Sequence, residues 1–192
     1  MAKAKTGQAR PRRVRYSVAM SLDGYIAGPN GESDWIPMDP EIDFGELFAG
    51  FDTLLMGRKA YEAARRQGGG GGMPGMRAYV FSRTLRPADC PGVTVSASPG
   101  ATLQALAAEP GKDIWLFGGG SLFQSLLGLG LVDSVEVAIV PVLLGGGLRL
   151  LPEPATRSAL RLTKHRVYAK TGTVMLEYAV EKAKARRARA RA

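Results

Sequence analysis

The chain has 192 residues, 45% of them hydrophobic, which is enough for one domain with a substantial core but too few for two large domains. It contains one cysteine, Cys90, and one histidine, His165; this excludes an internal disulfide and argues against a zinc site, which usually needs several such ligands. No apolar stretch approaches the roughly 20 residues of a membrane-spanning helix, and the N-terminus lacks the apolar segment of a secretory signal, so we expect a cytoplasmic protein.

The net charge of +9 is concentrated at the two ends of the chain. Residues 1–13 hold five Lys or Arg and residues 182–192 hold six, whereas all 17 acids lie between these segments. We therefore predict a nearly neutral domain over 14–181, flanked by a basic flexible N-terminal arm and a basic C-terminal tail. Such tails bind polyanions weakly through counterion release. They lack the aromatic residues that stack on single-stranded nucleic acid.

Short apolar runs alternate along the chain with segments of helical pattern. Strands are predicted at Val14–Leu22, 52–57, 77–83, 93–98, 113–117, 132–144, 161–170 and 173–181, and helices within 39–50, 58–67, 101–111 and 118–130. The first strand is followed by a long loop rich in Gly and Pro, and the pentaglycine 68–72 is interpreted as a surface loop. This order predicts a three-layer α/β fold: a mostly parallel sheet with helices on both faces and one antiparallel strand at the C-terminal end.

Three junctions that follow predicted strands carry residues suited to binding phosphate. In such sheets ligands bind at the carboxyl ends of the strands. Glycines there let main-chain N–H groups approach a phosphate, the positive end of a following helix attracts it, and cations pair with it. The residues are Gly118, Gly119, Gly120, Ser121 and Leu122 at one junction, Gly57, Arg58 and Lys59 at the second, and Ser82 and Arg83 at the third.

Each junction alone is also compatible with an ordinary tight turn or helix start. Together they indicate a ligand with several phosphates, such as a dinucleotide. Neither the G-x-G-x-x-G fingerprint after the first strand nor a P-loop pattern is present, so the site would belong to another α/β family.

Six motifs occur in an order that resembles the dihydrofolate reductase-like superfamily. Within it, the chain is similar to the group of the reductase (C-terminal) domain of the bacterial bifunctional riboflavin deaminase-reductase. The motifs are SVAMSLDGYIAG (17–28), SDWI (33–36), LLMGRKAYE (54–62), VFSR (80–83), WLFGGGSLFQSLL (115–127) and VEVAIVPVLLGGGLRLL (135–151). The resemblance implies a central, mostly parallel sheet of about eight strands with an antiparallel C-terminal strand, and NADPH bound along its C-terminal edge.

The resemblance also implies roles for the phosphate-site residues. Gly57, Arg58 and Lys59 would hold the central phosphates or the adenosine phosphate. Ser82 and Arg83 match the strand-end pair near the adenosine 2′-phosphate, where a cation favours NADPH over NADH. The turn 118–122 matches the one that meets the pyrophosphate, where a side chain would push the diphosphate away from the main chain.

On the nicotinamide side, the same resemblance implies that the loop Asp23–Asp39 covers the ring and that Trp35 helps to close it. Ser21 and Asp23 lie beside that end and are predicted to bind substrate, although Asp23 is also a good turn former.

Asp43 falls roughly where dihydrofolate reductases carry the acid that binds the pterin ring, so we predict that it is the catalytic residue. An acid in the first turn of a helix is also favoured by the helix dipole alone. Asp39 and Glu41 lie nearby and are alternatives.

The leading hypothesis is an NADPH-dependent reductase that transfers a hydride to a small heterocyclic or carbonyl substrate. The runner-up is the 5-amino-6-(5-phosphoribosylamino)uracil reductase of riboflavin biosynthesis, here without a zinc deaminase signature. A hypothesis of another class is a nucleotide- or nucleic-acid-binding module without catalysis.

Two further features complete the predictions. The glycines 145–147, with Arg149 just beyond, indicate either a substrate-phosphate site or a hairpin-like turn. The apolar strand segment 135–144 would supply the surface of a homodimer. We predict no bound metal and no membrane partner.

Overall fold

The computed structural model of the chain describes residues 11–69 and 71–182. The strands are β1 (Val14–Ser21), β2 (Tyr25–Ala27), β3 (Phe51–Gly57), β4 (Arg77–Phe81), β5 (Thr94–Ser96), β6 (Asp113–Gly118), β7 (Ser134–Val140), β8 (Leu148–Arg149), β9 (Leu160–Tyr168) and β10 (Thr173–Val180). The helices are α1 (Phe44–Ala49), α2 (Arg58–Arg66), α3 (Pro99–Ala108) and α4 (Gly120–Gly128), with a short 3-10 turn at Pro87–Asp89.

Eight strands form one sheet in the order β5-β4-β3-β6-β1-β7-β10-β9. Neighbours from β5 to β7 are parallel, and β10 runs antiparallel to both β7 and β9. β2 and β8 pair separately as a small antiparallel ribbon. The prediction of a mostly parallel sheet with an antiparallel C-terminal strand is therefore confirmed.

Helices pack on both faces of this sheet. The side chains of a strand alternate between its faces, so an apolar strand such as β3 offers apolar side chains to helices on either side. Leu55 of β3 joins the core cluster built with α3 and α4, which contains Leu103 and Phe123. The adjacent Met56 joins the opposite cluster, which includes Tyr61 of α2. The result is the predicted three-layer arrangement.

Arg12 belongs to the folded body, although the sequence placed it in the N-terminal arm. Its guanidinium is buried and forms an ion pair with Asp52. It also donates to Thr53 Oγ1 at 2.7 Å and to the Lys112 carbonyl at 2.8 Å. At the other end, Lys182 Nζ lies 2.8 Å from Asp133 Oδ1. Residues 1–10 and 183–192, which make up most of the predicted tails, lie outside the described part of the chain.

β7 is shorter than predicted and lies inside the sheet. It ends at Val140 because Pro141 has no N–H to donate to a neighbouring strand. Since β1 and β10 flank it on both sides, it has no free edge to pair with a second copy, and the homodimer stays a prediction. Exposed apolar side chains lie just beyond its end, at Leu143, and on the edge strand β9, where Leu162 and Val167 are 48% and 60% exposed.

Candidate functional site

A cleft of about 1590 Å³ opens at the C-terminal edge of the sheet. All ten residues that the sequence assigned to the coenzyme line it. They are Gly57, Arg58, Lys59, Ser82, Arg83, Gly118, Gly119, Gly120, Ser121 and Leu122. Residues up to 65 positions apart in the chain, from 57 to 122, thus meet at a single site.

The sheet order explains why these segments meet. β4, β3 and β6 are consecutive neighbours and all parallel, so the segments that follow them emerge at the same edge. Two of these segments start helices: α2 after Gly57, and α4 after Gly119. No side chain caps the N-terminus of α2 or of α4. The partial positive charge at the start of each helix, with N–H groups of its first turn, is therefore available to an anion in the cleft.

The triple glycine has a different requirement at each position. Gly118 has φ +148°, which L side chains rarely adopt, and its peptide bond to Gly119 is cis. Gly119 has an ordinary φ of −90°, and a Cβ there would meet no protein atom within 4 Å. A Cβ on Gly120 would lie 2.5 Å from the Arg149 carbonyl oxygen. Gly120 is thus required by packing, whereas Gly119 leaves bare main chain facing open space.

Cations stand at the same end of the cleft. Arg58 pairs with Glu62 one helical turn away, at 3.0 Å. Lys59 and Arg83 are exposed and form no ion pair with any residue that the structure describes. The Ser82 hydroxyl accepts the N–H groups of Thr84 and Leu85 at 3.1 and 3.0 Å, so it shapes the turn that carries Arg83. This half of the cleft therefore offers bare main chain, two helix N-termini and unpaired cations, a donor set that fits a phosphorylated dinucleotide.

The other half of the cleft is apolar, and sequence reasoning missed most of it. Its floor consists of short side chains on β1 and β7, namely Ser17, Ala19 and Ala138, next to Thr173 and Met175 of β10. Register places these on one face, since Ala138 is opposite both Ala19 and Met175. The available signal was the small residues within otherwise bulky strands, which leave room above the sheet.

Larger apolar side chains form the walls of this half. They come from β2, from the loop after it, from α1 and from β6, and are Ile26, Ile36, Phe44, Leu47, Phe48, Trp115 and Phe117. Trp115 is held by its indole N–H, which donates to the Ser17 carbonyl at 3.0 Å. Such walls favour a flat organic group and exclude water.

The three predicted substrate-binding residues do not line the cleft. The Asp23 carboxylate accepts the Ser21 hydroxyl at 2.6 Å and the N–H groups of Gly145 and Leu144 at 2.7 and 3.1 Å. These bonds, that from the Ser21 hydroxyl foremost, lower the pKa of Asp23 below its ordinary value. Trp35 donates to the Glu32 carbonyl at 3.1 Å. In this structure, all three residues shape loops at the border of the cleft.

The glycines 145–147 form a turn-like bend between β7 and β8, two strands that do not pair with each other. The substrate-phosphate alternative stays a prediction. The turn is fixed by Asp23 through the Gly145 N–H, and β8 follows it immediately. Gly147 and Arg149 nevertheless line the cleft, and the Arg149 guanidinium lies 5.5 Å from the centre of the Tyr25 ring.

Asp43 is exposed and is not among the residues that line the cleft. It caps α1, with its carboxylate accepting the Glu46 N–H at 2.9 Å. This is the structural role expected of an acid at a helix start, and its catalytic role stays a prediction. Glu41 lies within 4 Å of Arg166 and Lys170, and Asp39 is buried at 3% exposure.

Two classes of feature were not found among the described residues. No helix there has the length and apolar character needed to cross a membrane. Nor does this part of the chain bring three His, Cys, Asp or Glu side chains together as metal ligands.

Comparison with known proteins identifies relatives of this chain. The chain is 34% identical over 184 residues to YyaP, an uncharacterised protein of Bacillus subtilis, covering 90% of this chain and 97% of that protein. The crystal structure of a protein from Shewanella sp. PV-4, described as a candidate riboflavin biosynthesis protein, matches with a TM-score of 0.74 and 26% identity over 90% of this chain and all of that one.

A dihydrofolate reductase from Enterococcus faecalis, solved in complex with NADP(H), matches with a TM-score of 0.68 over 91% of this chain and all of that one. At 16% identity, this structural match shows a common fold and no more. Residues 12–174 match the family described as the RibD C-terminal domain. With its dihydrofolate reductase-like fold, the chain therefore belongs to the RibD C-terminal domain family.

Proposed function

We propose that this protein is an NADPH-dependent reductase that transfers a hydride to a small heterocyclic or carbonyl substrate. The observation that carries the proposal is the convergence of three phosphate-suited segments at one end of a cleft whose other end is apolar. The family assignment supports the same reaction class.

The residues divide the work between the two halves of the cleft. The main chain at Gly118–Gly119 and the N-terminus of α4 would hold the diphosphate, and Lys59 and Arg83 would hold the additional phosphate of NADPH. NADPH, when bound, supplies the hydride. The apolar half would hold the nicotinamide and the substrate ring face to face and keep water away from them.

The riboflavin-pathway reductase, acting on 5-amino-6-(5-phosphoribosylamino)uracil, is the second candidate. The family assignment favours it, and Arg149 places a cation in the cleft beside the apolar half, where a sugar phosphate could be bound. It is tested by following NADPH absorbance when this compound is added to the purified protein, because a true substrate causes oxidation of the coenzyme.

Replacing Gly119 tests coenzyme binding directly. The φ of Gly119 is allowed for leucine, and a Cβ there meets no protein atom within 4 Å. We therefore expect the variant to fold while its side chain occupies the place of the diphosphate. In an NADPH fluorescence titration we expect Gly119→Leu to lose at least tenfold in affinity, or about 1.4 kcal/mol.

Gly128→Leu is the matched control. It is the last residue of α4, the helix that Gly119 precedes. A Cβ there also meets nothing within 4 Å, and it does not line the main cleft. Wild-type affinity in a folded Gly119→Leu variant would remove the basis of the proposal.

We also keep the homodimer as a proposal, with the exposed edge strand β9 as the contact in place of β7. Sedimentation velocity at micromolar concentration decides it, since a monomer there contradicts the proposal.

A further inference from the structure

Ser17 places a hydroxyl group on the floor of the apolar half of the cleft. It lies two residues before Ala19 in β1, so the two side chains point to the same face of the sheet. Both line the cleft together with Ala138, which is opposite Ala19 in β7. The neighbouring floor positions therefore carry only methyl groups, which leave room above the sheet.

The Ser17 hydroxyl forms no hydrogen bond within the described part of the chain. Two polar groups near it are bonded elsewhere. Glu136, which is opposite Ser17 in β7, accepts Arg15 Nε and Nη2 at 2.6 and 2.8 Å. The other hydroxyl of the floor, that of Thr173, accepts a hydrogen bond from Thr171 at 2.9 Å. Ser17 is thus the floor residue whose hydroxyl is left for a ligand.

The oxygen of this hydroxyl is open to the cleft. Among the described residues, the side-chain oxygens that are fully shielded from solvent and also lack a partner are those of Tyr16 and Tyr61. Ser17 Oγ lacks a partner but is not one of them, so part of its surface is accessible, although the residue is only 8% exposed. Because Ser17 lines the cleft from a strand inside the sheet, this accessible surface faces the cleft.

We propose that Ser17 Oγ forms a hydrogen bond with the substrate and determines which flat rings the apolar half accepts. A hydroxyl has one hydrogen to donate and lone pairs that accept, so it pairs with a ring N–H, a ring nitrogen or a carbonyl oxygen. The ring must therefore carry a polar group on the edge that points toward the sheet, as a cyclic amide does. This inference rests on the proposed function, which makes the apolar half the place of the substrate ring.

The apolar walls make this preference effective. A ring that fills the apolar half expels solvent from the space above Ser17. A purely apolar ring then leaves the hydroxyl unpaired, which is unfavourable where water is excluded. A ring with a polar edge makes the bond and avoids that loss. Sites built to pair with a polar group reject analogues that lack it.

Two probes of the same ring size test the proposal. 2-Pyridone carries a ring N–H next to a carbonyl, and benzene carries no polar group. Both are titrated into ¹⁵N-labelled wild type and Ser17→Ala, and the amide signals of Ala19 and Ala138 report binding over the floor. We expect Ser17→Ala to bind 2-pyridone roughly three- to tenfold more weakly than wild type does. Its affinity for benzene should not fall, because the lost hydroxyl offers nothing to that ring.

Ser33→Ala is the matched control. Ser33 is an exposed serine of the loop after β2 and lines the same cleft. Water can replace any bond that its hydroxyl makes, so this variant should bind both probes as wild type does. Urea denaturation checks the fold of each variant. The midpoint of Ser17→Ala should match that of wild type, since its hydroxyl has no partner in the protein to lose. A clearly lower midpoint would show that the hydroxyl is bonded within the protein, and it would overturn the proposal.

The titrations have equally definite opposing outcomes. An unchanged affinity of Ser17→Ala for 2-pyridone, or an equal loss for both probes, overturns the proposal. Failure of the wild type to bind 2-pyridone over the floor does the same. An NADPH titration of the wild-type sample separates this proposal from the proposed function. A wild type that does not bind NADPH defeats the proposed function, whereas the probe affinities still decide whether Ser17 binds the polar edge of a ring.

Discussion

Two arginines in the turn after β4 have different surroundings. Arg83 lines the cleft and pairs with no acid in the described part of the chain, whereas Arg86 lies outside the cleft and pairs with Asp89 at 2.9 Å. A guanidinium that faces a ligand site without a partner is suited to a phosphate. The 2′-phosphate, which distinguishes NADPH from NADH, is the group we assign to it.

Replacing Arg83 should therefore change coenzyme selectivity. We expect Arg83→Gln to weaken NADPH binding roughly tenfold, the effect of losing one charged hydrogen bond, and to leave NADH binding unchanged. Fluorescence titrations with both coenzymes measure this, and Arg86→Gln serves as the control. An equal loss for both coenzymes would place Arg83 at a phosphate that they share.

Tyr16 shows a polar group inside the core. Its side chain is fully buried, its ring stacks on Phe123 with centroids 4.0 Å apart, and its hydroxyl finds no partner among the described residues. Burial raises the pKa of this phenol well above its ordinary value. The ring stabilises the core, and the hydroxyl does not.

Removing this hydroxyl should not destabilise the protein. We expect Tyr16→Phe to leave the free energy of unfolding unchanged or to raise it by up to about 1 kcal/mol, because a buried unpaired group is lost and the ring is kept. Tyr16→Leu, which loses the ring contact, should cost about 2–4 kcal/mol. Urea denaturation measures both, and a clear loss in Tyr16→Phe would mean that the hydroxyl is paired after all.

Among the elements, the carboxylate of Asp23 joins the β1–β2 turn to the glycine turn 145–147. The Ser21 hydroxyl and the N–H groups of Gly145 and Leu144 lower the pKa of Asp23 in the folded state. A lowered folded pKa gives stability that is complete above the unfolded value of about 4. That stability is lost as the pH falls through the folded value.

Asp23→Asn should consequently be less stable than wild type at neutral pH, and the difference should shrink at about pH 3, below the unfolded pKa. Urea denaturation at the two pH values measures the effect. Asp34→Asn, in an exposed acid of the following loop, is the control and should match wild type at both. A difference that persists unchanged at the acidic pH would show that the ionised form is not what matters.

Local patterns predicted those elements whose causes are local. The convergence of the residues assigned to the coenzyme could be predicted because glycines or cations stand at the ends of β3, β4 and β6 in the sequence. The start of α1 was missed because Asp39 and Asp43 are both suitable caps, and only packing selects Asp43. The apolar half was missed because it is assembled from β1, β7, β10, α1 and a loop, whose proximity no spacing reveals.

For the molecule as a whole, the basic charge lies mainly at the ends of the chain. Residues 1–10 and 183–192 hold eight of the 26 Lys and Arg and none of the 17 acids, so they carry eight of the nine net positive charges. Neither segment contains a predicted coenzyme residue. The reductase hypothesis and the nucleic-acid-binding alternative therefore make different predictions about these segments.

Deleting both segments should leave NADPH affinity unchanged and lower the salt concentration at which the protein elutes from heparin, because fewer cations exchange with counterions. Full-length protein is the control in both measurements. Tight DNA binding at physiological salt, together with no NADPH binding by the full-length protein, would favour the alternative.

Gly120 has a consequence for anyone who redesigns this pocket. The first turn of α4 presses against the carbonyl oxygens of Arg149 and Leu150, which leave no room for a methyl group at Gly120. Because Gly120 and Arg149 both line the pocket, a shift of the glycine turn 118–122 displaces the segment around Arg149, and the reverse. Attempts to alter substrate preference by loop grafting should accordingly exchange residues 145–152 and the glycine turn 118–122 together.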